Sequence, residues 1–481
     1  MKKIGFSCLL ILAMLITMSG NVLAAPAGSA VNAAQEQEQE ASAAYGCNSL
    51  DGKVAIMGNQ QIVPNMTAAF LFDVDMQVVL YALNPDMPIY PASLVKIMTA
   101  LIAVEQGNVN DIVTVKDSVI STVPGSAVTV RLQPNENISL SDLLYCMMVG
   151  SANDAAAVIA DYVSGSQEAF VVEMNKKAAE LGCTGTVFTN PHGLVEAQQV
   201  STARDIAKIL NYAIKNQDFM TYFSEEYYVV PQTNKFESRE LYSNNYLMYS
   251  PDNMRIYRDY RTTGGRTGLD EYERRCVAAT AVDNGRTLIS VIFGAESEYD
   301  EENKKTITFG GFKETSDLFT LGFEEYAPAQ VLYEGQIFRQ YAVDGGENDV
   351  VVGSFESAYS VLPVDAASAN LSFRFFDEEK AFSAPIEKGQ KLSHVQIWYG
   401  NVCVAQTDLY AMSEVRQLVT AAEEKIPGAS GGVWKDVLIT VAAIVICMIL
   451  ILLALRLVGI LRVAAIKRRS KRYRRSRRRS R

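Results

Sequence analysis

Residues 437–455 form an apolar run that contains no charged side chain. A helix of about 20 apolar residues is long enough to cross the hydrocarbon core of a bilayer. The segment that follows is dominated by Lys and Arg, and positive charge beside a span marks the cytoplasmic side. A buried core helix is the alternative, but no later segment could build a core around it. We therefore expect a transmembrane helix over residues 437–460 and a basic cytoplasmic tail over residues 461–481.

The first residues of the chain are typical of an export signal. Lys2 and Lys3 precede an apolar stretch, which ends near a small-residue pattern at residues 22–24. This order is that of a secretory signal peptide. We expect residues 1–24 to be removed, and residues 25–60 to be a flexible lead-in because Ala, Glu and Gln dominate its first half.

The charge balance differs between the two sides of the predicted membrane. The chain has 44 Lys and Arg, of which 13 lie in residues 456–481 and two in the signal, so 29 remain against 54 Asp and Glu, about −25 in net charge. A strongly acidic exported part argues against nucleic acid as a partner. The basic tail could bind anionic lipid head groups, but a role as a topology signal is the simpler interpretation.

The seven cysteines and two histidines show no pattern of a metal site. Five cysteines remain outside the signal and the predicted span, an odd number at irregular spacing, which predicts no disulfide framework. Zinc sites need clustered Cys and His ligands, so we expect no metal and no cofactor. With only His192 and His394 available, a Ser-His-Asp triad would depend on His192.

Residues 61–325 alternate between strand and helix patterns. Two apolar runs, 69–72 and 77–81, flank an Asp-rich turn and predict a β-hairpin. An Asn-Gly turn inside residues 276–294 predicts a second hairpin. Apolar residues at helical spacing predict helices that begin at Ser93 and that cover residues 140–148, 155–162 and 168–181. We expect an α/β fold of the α+β type, in which strands from both ends flank a helical middle.

Residues 330–415 are rich in Val, Phe and Tyr, with Gly and Asp at the turns and no helical periodicity. This pattern predicts a small all-β domain. A linker that contains Pro, Gly and Ser, residues 424–436, would join this domain to the membrane span.

Ser93 and Lys96 are three residues apart, so a helix places both on one face, one turn apart. A serine hydroxyl needs a base, and an amine whose pKa is lowered by an apolar environment can serve as one. The helix N-terminus would add positive potential at Ser93. A helix N-cap serine with a solvated lysine gives the same spacing. The pair therefore indicates an active serine only in combination with other motifs.

Two further motifs supply groups that an active serine needs. Ser151 could relay a proton, and Asn153 could hold a substrate amide and Lys96, although both residues are also good helix caps. Arg266, followed by Thr267, could bind a carboxylate through two hydrogen bonds. A surface charge on a turn is the alternative for Arg266. The three motifs describe one acyl-transfer site if they meet in space.

The motifs and their surroundings resemble the penicillin-recognising serine enzymes, and among them the low-molecular-weight D-alanyl-D-alanine carboxypeptidases. The segments that carry the resemblance are residues 91–100, 151–155, 189–194, 201–205, 277–294 and 384–390. It implies a β-lactamase/transpeptidase-like sheet with a helical subdomain in residues 61–325, followed by the C-terminal β domain.

The resemblance implies that Ser93 is the acylated nucleophile, Lys96 the proton acceptor and Ser151 the proton relay to the leaving group. The reaction would remove the terminal D-alanine from a peptidoglycan stem pentapeptide through an acyl-enzyme, which water then hydrolyses. β-Lactams would acylate the same serine. Such enzymes act in cell-wall synthesis and the control of cell shape.

The resemblance also implies how the substrate is held. Asn153 would orient it, Arg266 and Thr267 would bind its terminal carboxylate, and the backbone N–H groups of Ser93 and Leu269 would form the oxyanion hole. The family usually has lysine where Arg266 stands. Arginine keeps the positive charge but cannot supply a neutral amine.

Other functions are compatible with the same motifs. A D,D-endopeptidase would use the same site. A class A β-lactamase needs a carboxylate to activate the deacylating water, and no Glu-x-x-Leu-Asn pattern occurs between Asn153 and Arg266. A non-catalytic penicillin-binding wall scaffold is suggested only by the unusual Arg266. Many relatives lie on the membrane through an amphipathic tail helix, whereas this chain is expected to span it.

Overall fold

The fold is described from a computed structural model of the chain. The residues that the structure describes are 49–51, 65–270, 272, 274–300, 305–366, 370–376, 381–418 and 432–476. The predicted signal peptide, most of the predicted lead-in and the first part of the predicted linker lie outside these residues.

The described helices fall mainly in the middle of the chain. The α-helices are α1 Val95–Gln106, α2 Asp117–Ile120, α3 Leu140–Met148, α4 Asn153–Ser164, α5 Gln167–Glu180, α6 Ala203–Ala213, α7 Gln217–Phe223, α8 Phe312–Glu324 and α9 Gly432–Ser476. Two 3-10 helices cover Ala92–Leu94 and Asp252–Tyr257. Helices α3, α4 and α5 lie where the apolar periodicity predicted them, within a few residues at each end.

The described strands fall on both sides of these helices. They are β1 Ala68–Asp73, β2 Val78–Leu83, β3 Ile112–Thr114, β4 Asn137–Ser139, β5 Tyr227–Val230, β6 Arg239–Tyr242, β7 Thr262–Leu269, β8 Arg275–Asp283, β9 Arg286–Ala295, β10 Glu298–Asp300, β11 Lys305–Thr308, β12 Tyr326–Leu332, β13 Ile337–Tyr341, β14 Val343–Asp344, β15 Val350–Gly353, β16 Ala358–Pro363, β17 Leu371–Phe375, β18 Phe382–Ser383, β19 Lys391–Tyr399 and β20 Val402–Ala411.

Five of these strands form an antiparallel sheet in the order β2-β1-β9-β8-β7. Both predicted hairpins, β1–β2 and β8–β9, are present and pair antiparallel. Between β8 and β9, Asn284 and Gly285 have φ values of 49° and 81°, which a tight hairpin turn requires. The expectation that strands from both ends flank a helical middle is confirmed. β7 lies at the edge of the sheet.

Apolar clusters cover the two faces of this sheet. On one face Phe70 and Phe72 of β1 pack with the buried residues of α1, α3, α4 and α6. On the other face Leu71 packs with α8, as the two-residue period of a strand requires. Gly322 of α8 lets this helix approach closely, because a Cβ there would lie 2.5 Å from Leu288. The helical layer on the first face contains most of the candidate site.

The later strands form a second sheet in the order β13-β15-β20-β19-β17, and β12 pairs with β16. Among the described residues of 330–415 no helix occurs. Ile397 and Val404 of this sheet join the apolar cluster that contains α8. An all-β region is therefore present where the sequence predicted one.

The chain divides into two compact units. The first comprises residues up to 342, 349–382 and 386–414, and the second comprises 343–348, 383–385 and the chain from 415 onward. In the second unit α9 begins five residues before the predicted span and continues to residue 476. The helix therefore includes residues 432–436 of the predicted linker and residues 461–476 of the predicted tail. Lys and Arg, which dominate the tail, are good helix formers.

Within α9, the segment Val437–Arg462 has a mean hydropathy of 3.3 over its most apolar window. Its 26 residues extend about 39 Å as a helix, which exceeds the hydrocarbon thickness of about 30 Å. Among the described residues this is the one helix long and apolar enough to cross a bilayer.

Cys146, Cys183, Cys276 and Cys447 are free thiols, whereas Cys403 is disulfide-bonded. The sequence did not predict this bond, because irregular spacing carries no information on which cysteines meet in space.

Candidate active site

Ser93 lies in the 3-10 helix Ala92–Leu94, directly before α1. The preceding residue, Ala92, has a φ of 47°, which is strained for a residue with a Cβ and is common at functional sites. The turn places the Nζ of Lys96 3.1 Å from the Oγ of Ser93. The three-residue spacing, one helical turn, thus brings hydroxyl and amine into contact.

Lys96 is completely buried in the helical layer. Its Nζ donates to the Oγ of Ser93, to the Oδ1 of Asn153 at 2.8 Å and to the backbone O of His192. Burial, and next the charge of Arg266, hold the pKa of Lys96 well below its ordinary value, against the opposite influence of Asp154. A lysine with a lowered pKa can be neutral and accept a proton near pH 7.

Asn153 is the first residue of α4, but its side chain does not cap the helix. The N-cap residue is Ala152, and no side chain caps α4. The Nδ2 of Asn153 donates to the backbone O of Val128 at 2.9 Å, which directs the Oδ1 toward Lys96. The interpretation of Asn153 as a helix cap is therefore wrong.

Arg266 of β7 is 1% exposed, so the alternative of a surface charge is wrong as well. Its Nη1 donates to the backbone O of Met148 at 2.9 Å, its Nε to the backbone O of Ser93 at 3.4 Å and its Nη2 to the Oγ of Ser151. Burial lowers the pKa of Arg266 to about 10, so the guanidinium stays protonated at pH 7. It places a fixed positive charge behind the serine and the lysine.

Ser151 has a φ of 58° and precedes the N-cap of α4, so it is not a helix cap either. Its Oγ accepts the hydrogen bond from Arg266. Because the oxygen is the acceptor, the O–H proton of Ser151 stays available for donation. The structure pairs Ser151 with Arg266 and not with Lys96.

The residues after Arg266 line the edge of β7. The Oγ1 of Thr267 donates to the Oδ1 of Asn244 at 2.8 Å. A Cβ on Gly268 would lie 2.8 Å from the backbone N of Ser93, so only glycine allows this approach. The close approach brings the Ser93 N–H beside the strand that carries Leu269. The backbone N–H groups of Ser93 and Leu269 are the two groups expected to form the oxyanion hole.

His192 lies in a loop for which the sequence suggested only one role, that of a triad histidine. Its backbone O accepts from Lys96, and its Nδ1 accepts from the N–H of Leu194. Burial, and next the charge of Lys96, lower the pKa of His192 to about 3, so the ring is neutral. A triad based on this ring is not supported, because its carbonyl and not its imidazole meets the amine. The only signal was the resemblance of residues 189–194.

The same loop contains Gly193, at a position that requires glycine. It has a φ of 82°, and a Cβ there would lie 2.0 Å from the backbone O of Ala92. Gly193 and Gly268 therefore both pack against the Ala92–Ser93 backbone. The serine turn is held between two glycines from distant parts of the chain.

Two protein-family profiles match this chain, one over the region of the candidate site and one over the β region. The sequence profile of the D-alanyl-D-alanine carboxypeptidase family matches residues 58–297. The profile of the penicillin-binding protein 5 C-terminal domain matches residues 326–417.

Individual relatives agree with these profiles. D-alanyl-D-alanine carboxypeptidase DacA of Haemophilus influenzae is 28% identical over 388 residues, which is 79% of this chain and 90% of the relative. DacC of Escherichia coli is 29% identical over 346 residues, 69% of this chain and 80% of the relative. The crystal structure of penicillin binding protein 5 from Haemophilus influenzae superimposes with a TM-score of 0.57 and 27% identity, covering 75% of this chain and 100% of that one.

Proposed function

Because the chain belongs to the D-alanyl-D-alanine carboxypeptidase family, we propose that its hydrolase activity proceeds through an acyl-enzyme at Ser93. The protein is a carboxypeptidase that acts on peptidoglycan stem peptides, and it binds β-lactams. The observation that carries the serine mechanism is the 3.1 Å contact between the Ser93 Oγ and the buried amine of Lys96.

In the proposed acylation step, Lys96 in its neutral form keeps its two N–H groups on Asn153 and His192 and accepts the hydrogen bond of the Ser93 hydroxyl. It takes the Ser93 proton while the Oγ attacks the carbonyl carbon between the two D-alanines. The backbone N–H groups of Ser93 and Leu269 stabilise the oxyanion. Ser151 donates its hydroxyl proton to the leaving amine as the C–N bond breaks. To recover a proton from Lys96, the Ser151 side chain would have to turn from Arg266, its partner in the structure, toward the amine. Water then attacks the ester, and Lys96 acts again as base.

The terminal carboxylate would bind at the edge of β7. Thr267 could turn its hydroxyl proton from Asn244 to a substrate oxygen. The hydrogen bonds of Arg266 run to protein groups, so its contribution would be mainly the attraction of its buried positive charge. Asn153 would orient the substrate amide.

The activity is tested with the full-length protein in detergent. Incubated with a pentapeptide that ends in D-Ala-D-Ala, it should release free D-alanine, measured by chromatography. No release under conditions in which a known carboxypeptidase relative is active would contradict the proposed function.

The rival functions make different predictions. A β-lactamase would release bound penicillin rapidly, whereas a carboxypeptidase keeps it bound for long. A D,D-endopeptidase would cleave cross-linked dimers faster than the pentapeptide. A wall scaffold would bind penicillin without turnover of peptide. The family membership favours the carboxypeptidase over all three.

Arg266 gives a pH prediction. Its charge holds the pKa of Lys96 down, so Arg266→Gln should raise that pKa and move the acid limb of penicillin acylation to higher pH. The loss at pH 7 should be on the order of 10²-fold, as for other removed charge-stabilising donors. Arg266→Lys is the matched control, because it keeps the charge and should keep the limb near its wild-type position. The measurement is the acylation rate constant as a function of pH.

An unchanged acid limb in Arg266→Gln, with acylation still slowed, would show that Arg266 acts without an influence on Lys96.

We also propose the domain limits and the location. The catalytic domain covers residues 61–325, the β domain covers residues 330–415, and a single membrane span lies within α9. The catalytic domain would lie outside the cytoplasm and the basic C-terminal tail inside. The length and apolarity of Val437–Arg462 support the span. Fusing a cytoplasm-dependent reporter to residue 481 tests the orientation.

A further inference from the structure

The loop of residues 128–136 is the element that orients Asn153. The backbone O of Val128 accepts from both the backbone N of Asn153, at 2.8 Å, and its Nδ2, at 2.9 Å. An amide side chain can present its oxygen or its nitrogen to a neighbour. Because Val128 takes the Nδ2, the Oδ1 faces Lys96. The position of this loop therefore determines which atom of the Asn153 amide faces Lys96.

Asp154 binds the next part of the same loop. Its buried carboxylate accepts from the backbone N of Val130 at 3.2 Å and from that of Leu132 at 3.0 Å. The residue between them, Arg131, has a φ of 59°, and this left-handed turn aims both N–H groups at one anion. The loop is thus attached to the first turn of α4 at three backbone positions.

An ion pair holds the loop from the other side. Arg239 of β6 donates from its Nε to the backbone O of Val130 at 3.0 Å. Its Nη2 donates to the Oε2 of Glu136 at 2.9 Å, and its Nη1 lies 2.8 Å from the Oε1 without the alignment of a hydrogen bond. The side chains are 5% and 0% exposed. Arg239 therefore binds both the middle of the loop, at Val130, and its end, at Glu136.

The acid of this pair is ionised at neutral pH. Burial alone would raise the pKa of Glu136, but hydrogen bonds from Arg239, Gln133 and Thr233 lower it below its ordinary value. Buried ion pairs contribute little net stability, because desolvation offsets their attraction, and they are often retained for a specific arrangement.

We propose that the buried Glu136–Arg239 pair is a positioning device, which fixes the loop 128–136 so that Asn153 presents its amide oxygen to Lys96. The connection is continuous in contacts: Arg239 holds Val130, the same loop holds Asn153 at Val128, and Asn153 contacts Lys96. The pair acts through Asn153, and its described hydrogen bonds do not reach Ser93, Lys96 or Ser151. This inference rests on the proposed function.

The test replaces the whole pair in the full-length protein by apolar residues of similar size, Glu136→Leu with Arg239→Met. Such replacements of buried pairs are often neutral in stability. If the pair positions Asn153, penicillin acylation should fall by about tenfold, a size common for coupled contacts, while the melting temperature changes little. Wild-type acylation and D-alanine release are measured first, because their absence would contradict the proposed function and not this inference.

A double-mutant cycle separates positioning from mere structural support. In an Asn153→Ala background the pair replacement should cost less than about twofold, because the residue through which it acts is already gone. Equal losses with Asn153 present and absent would overturn the proposal. Unchanged acylation in the pair variant alone would overturn it as well.

The matched control is the Asp73–Arg286 pair. It has the same chemistry: Asp73 is fully buried, Arg286 contacts it through Nε at 2.9 Å and Nη2 at 2.8 Å, and Arg286 also donates to the backbone O of Tyr326. Asp73→Leu with Arg286→Met should leave the coupling to Asn153 at zero. If the Glu136–Arg239 replacement does not fold, Arg239→Lys carries the same cycle, because it keeps the charge but loses the fork. A zero coupling for Arg239→Lys, with acylation slowed, would refute the proposal.

Discussion

Replacing Ser93 with alanine should abolish both penicillin acylation and D-alanine release, by a factor on the order of 10⁴ or more. The hydroxyl of Ser151 is the alternative nucleophile, but its oxygen accepts a hydrogen bond from Arg266, and its observed contact is not with the amine of Lys96. It therefore lacks the base that a nucleophile needs. Fluorescent penicillin labelling of the full-length protein measures acylation, and chromatography measures D-alanine.

The variant should keep its fold. Ser93→Ala removes one hydrogen bond, and Lys96 retains Asn153 and His192 as acceptors. We expect a small change in melting temperature, as for most substitutions that create no cavity or buried charge. The exposed Ser121 provides a control, since Ser121→Ala should label like wild type. Labelling of Ser93→Ala at the wild-type rate would refute the assignment of the nucleophile.

Replacing Lys96 with methionine should slow acylation by roughly 10²–10⁴-fold, the contribution typical of a general base. Methionine has a similar length and fills the same buried space without a titratable group. Lys96→Arg should fare no better, because an arginine keeps the charge but does not take up a proton near pH 7. The measurement is the second-order rate constant of penicillin acylation at pH 7. Rapid acylation of Lys96→Met would exclude this lysine as the base.

The same variant should change how stability depends on pH. Lys96 has a lowered pKa in the folded protein, so the unfolded chain binds its proton more tightly. Stability linked to this group is therefore fully present above the ordinary lysine pKa of about 10.4 and is lost as pH falls toward the lowered folded value. Melting temperature should rise with pH across this window in wild type, and less steeply in Lys96→Met.

Equal slopes in the two proteins would mean that the amine is not desolvated as the structure indicates. The comparison of slopes is more informative than the absolute melting temperature, since methionine also leaves the acceptors of Asn153 and His192 without a donor.

The sequence predicted the elements whose signals are local. The pairing of β8 with β9 follows from an Asn-Gly turn between apolar runs, and the helix α3 follows from apolar residues at helical spacing. The contact of Ser93 with Lys96 follows from one helical turn. Each signal is contained in a few neighbouring residues, so no knowledge of the rest of the chain is needed.

The burial of Arg266 is a property that the neighbouring residues in the sequence did not predict. The sequence left open whether this residue lies on a surface turn, and it suggested direct contact with a substrate carboxylate. The structure places its guanidinium among the backbone of Met148 and Ser93 and the hydroxyl of Ser151, 115 or more residues away along the chain. Nothing in residues 262–268 specifies those partners.

The carbonyl of His192 and the loop of Val128 were missed for a related reason. Both act on Lys96 or Asn153 through backbone oxygens, and every residue has a backbone oxygen. Residue type therefore carries no signal of their role. The glycines at 193 and 268 are informative only after the structure shows that a Cβ would collide with the Ser93 turn.

By itself the sequence determined the α+β layout, the apolar run of the C-terminal helix and the identity of the groups that could perform acyl transfer. These depend on residue type and on spacing within one or two turns of chain. Only the tertiary structure decided that Lys96 is buried beside Arg266, that Asn153 turns its oxygen inward and that Glu136 and Arg239 hold the loop behind it. The reason is physical: burial and hydrogen-bond direction are properties of contacts between distant segments, and such contacts are formed only when the chain is folded.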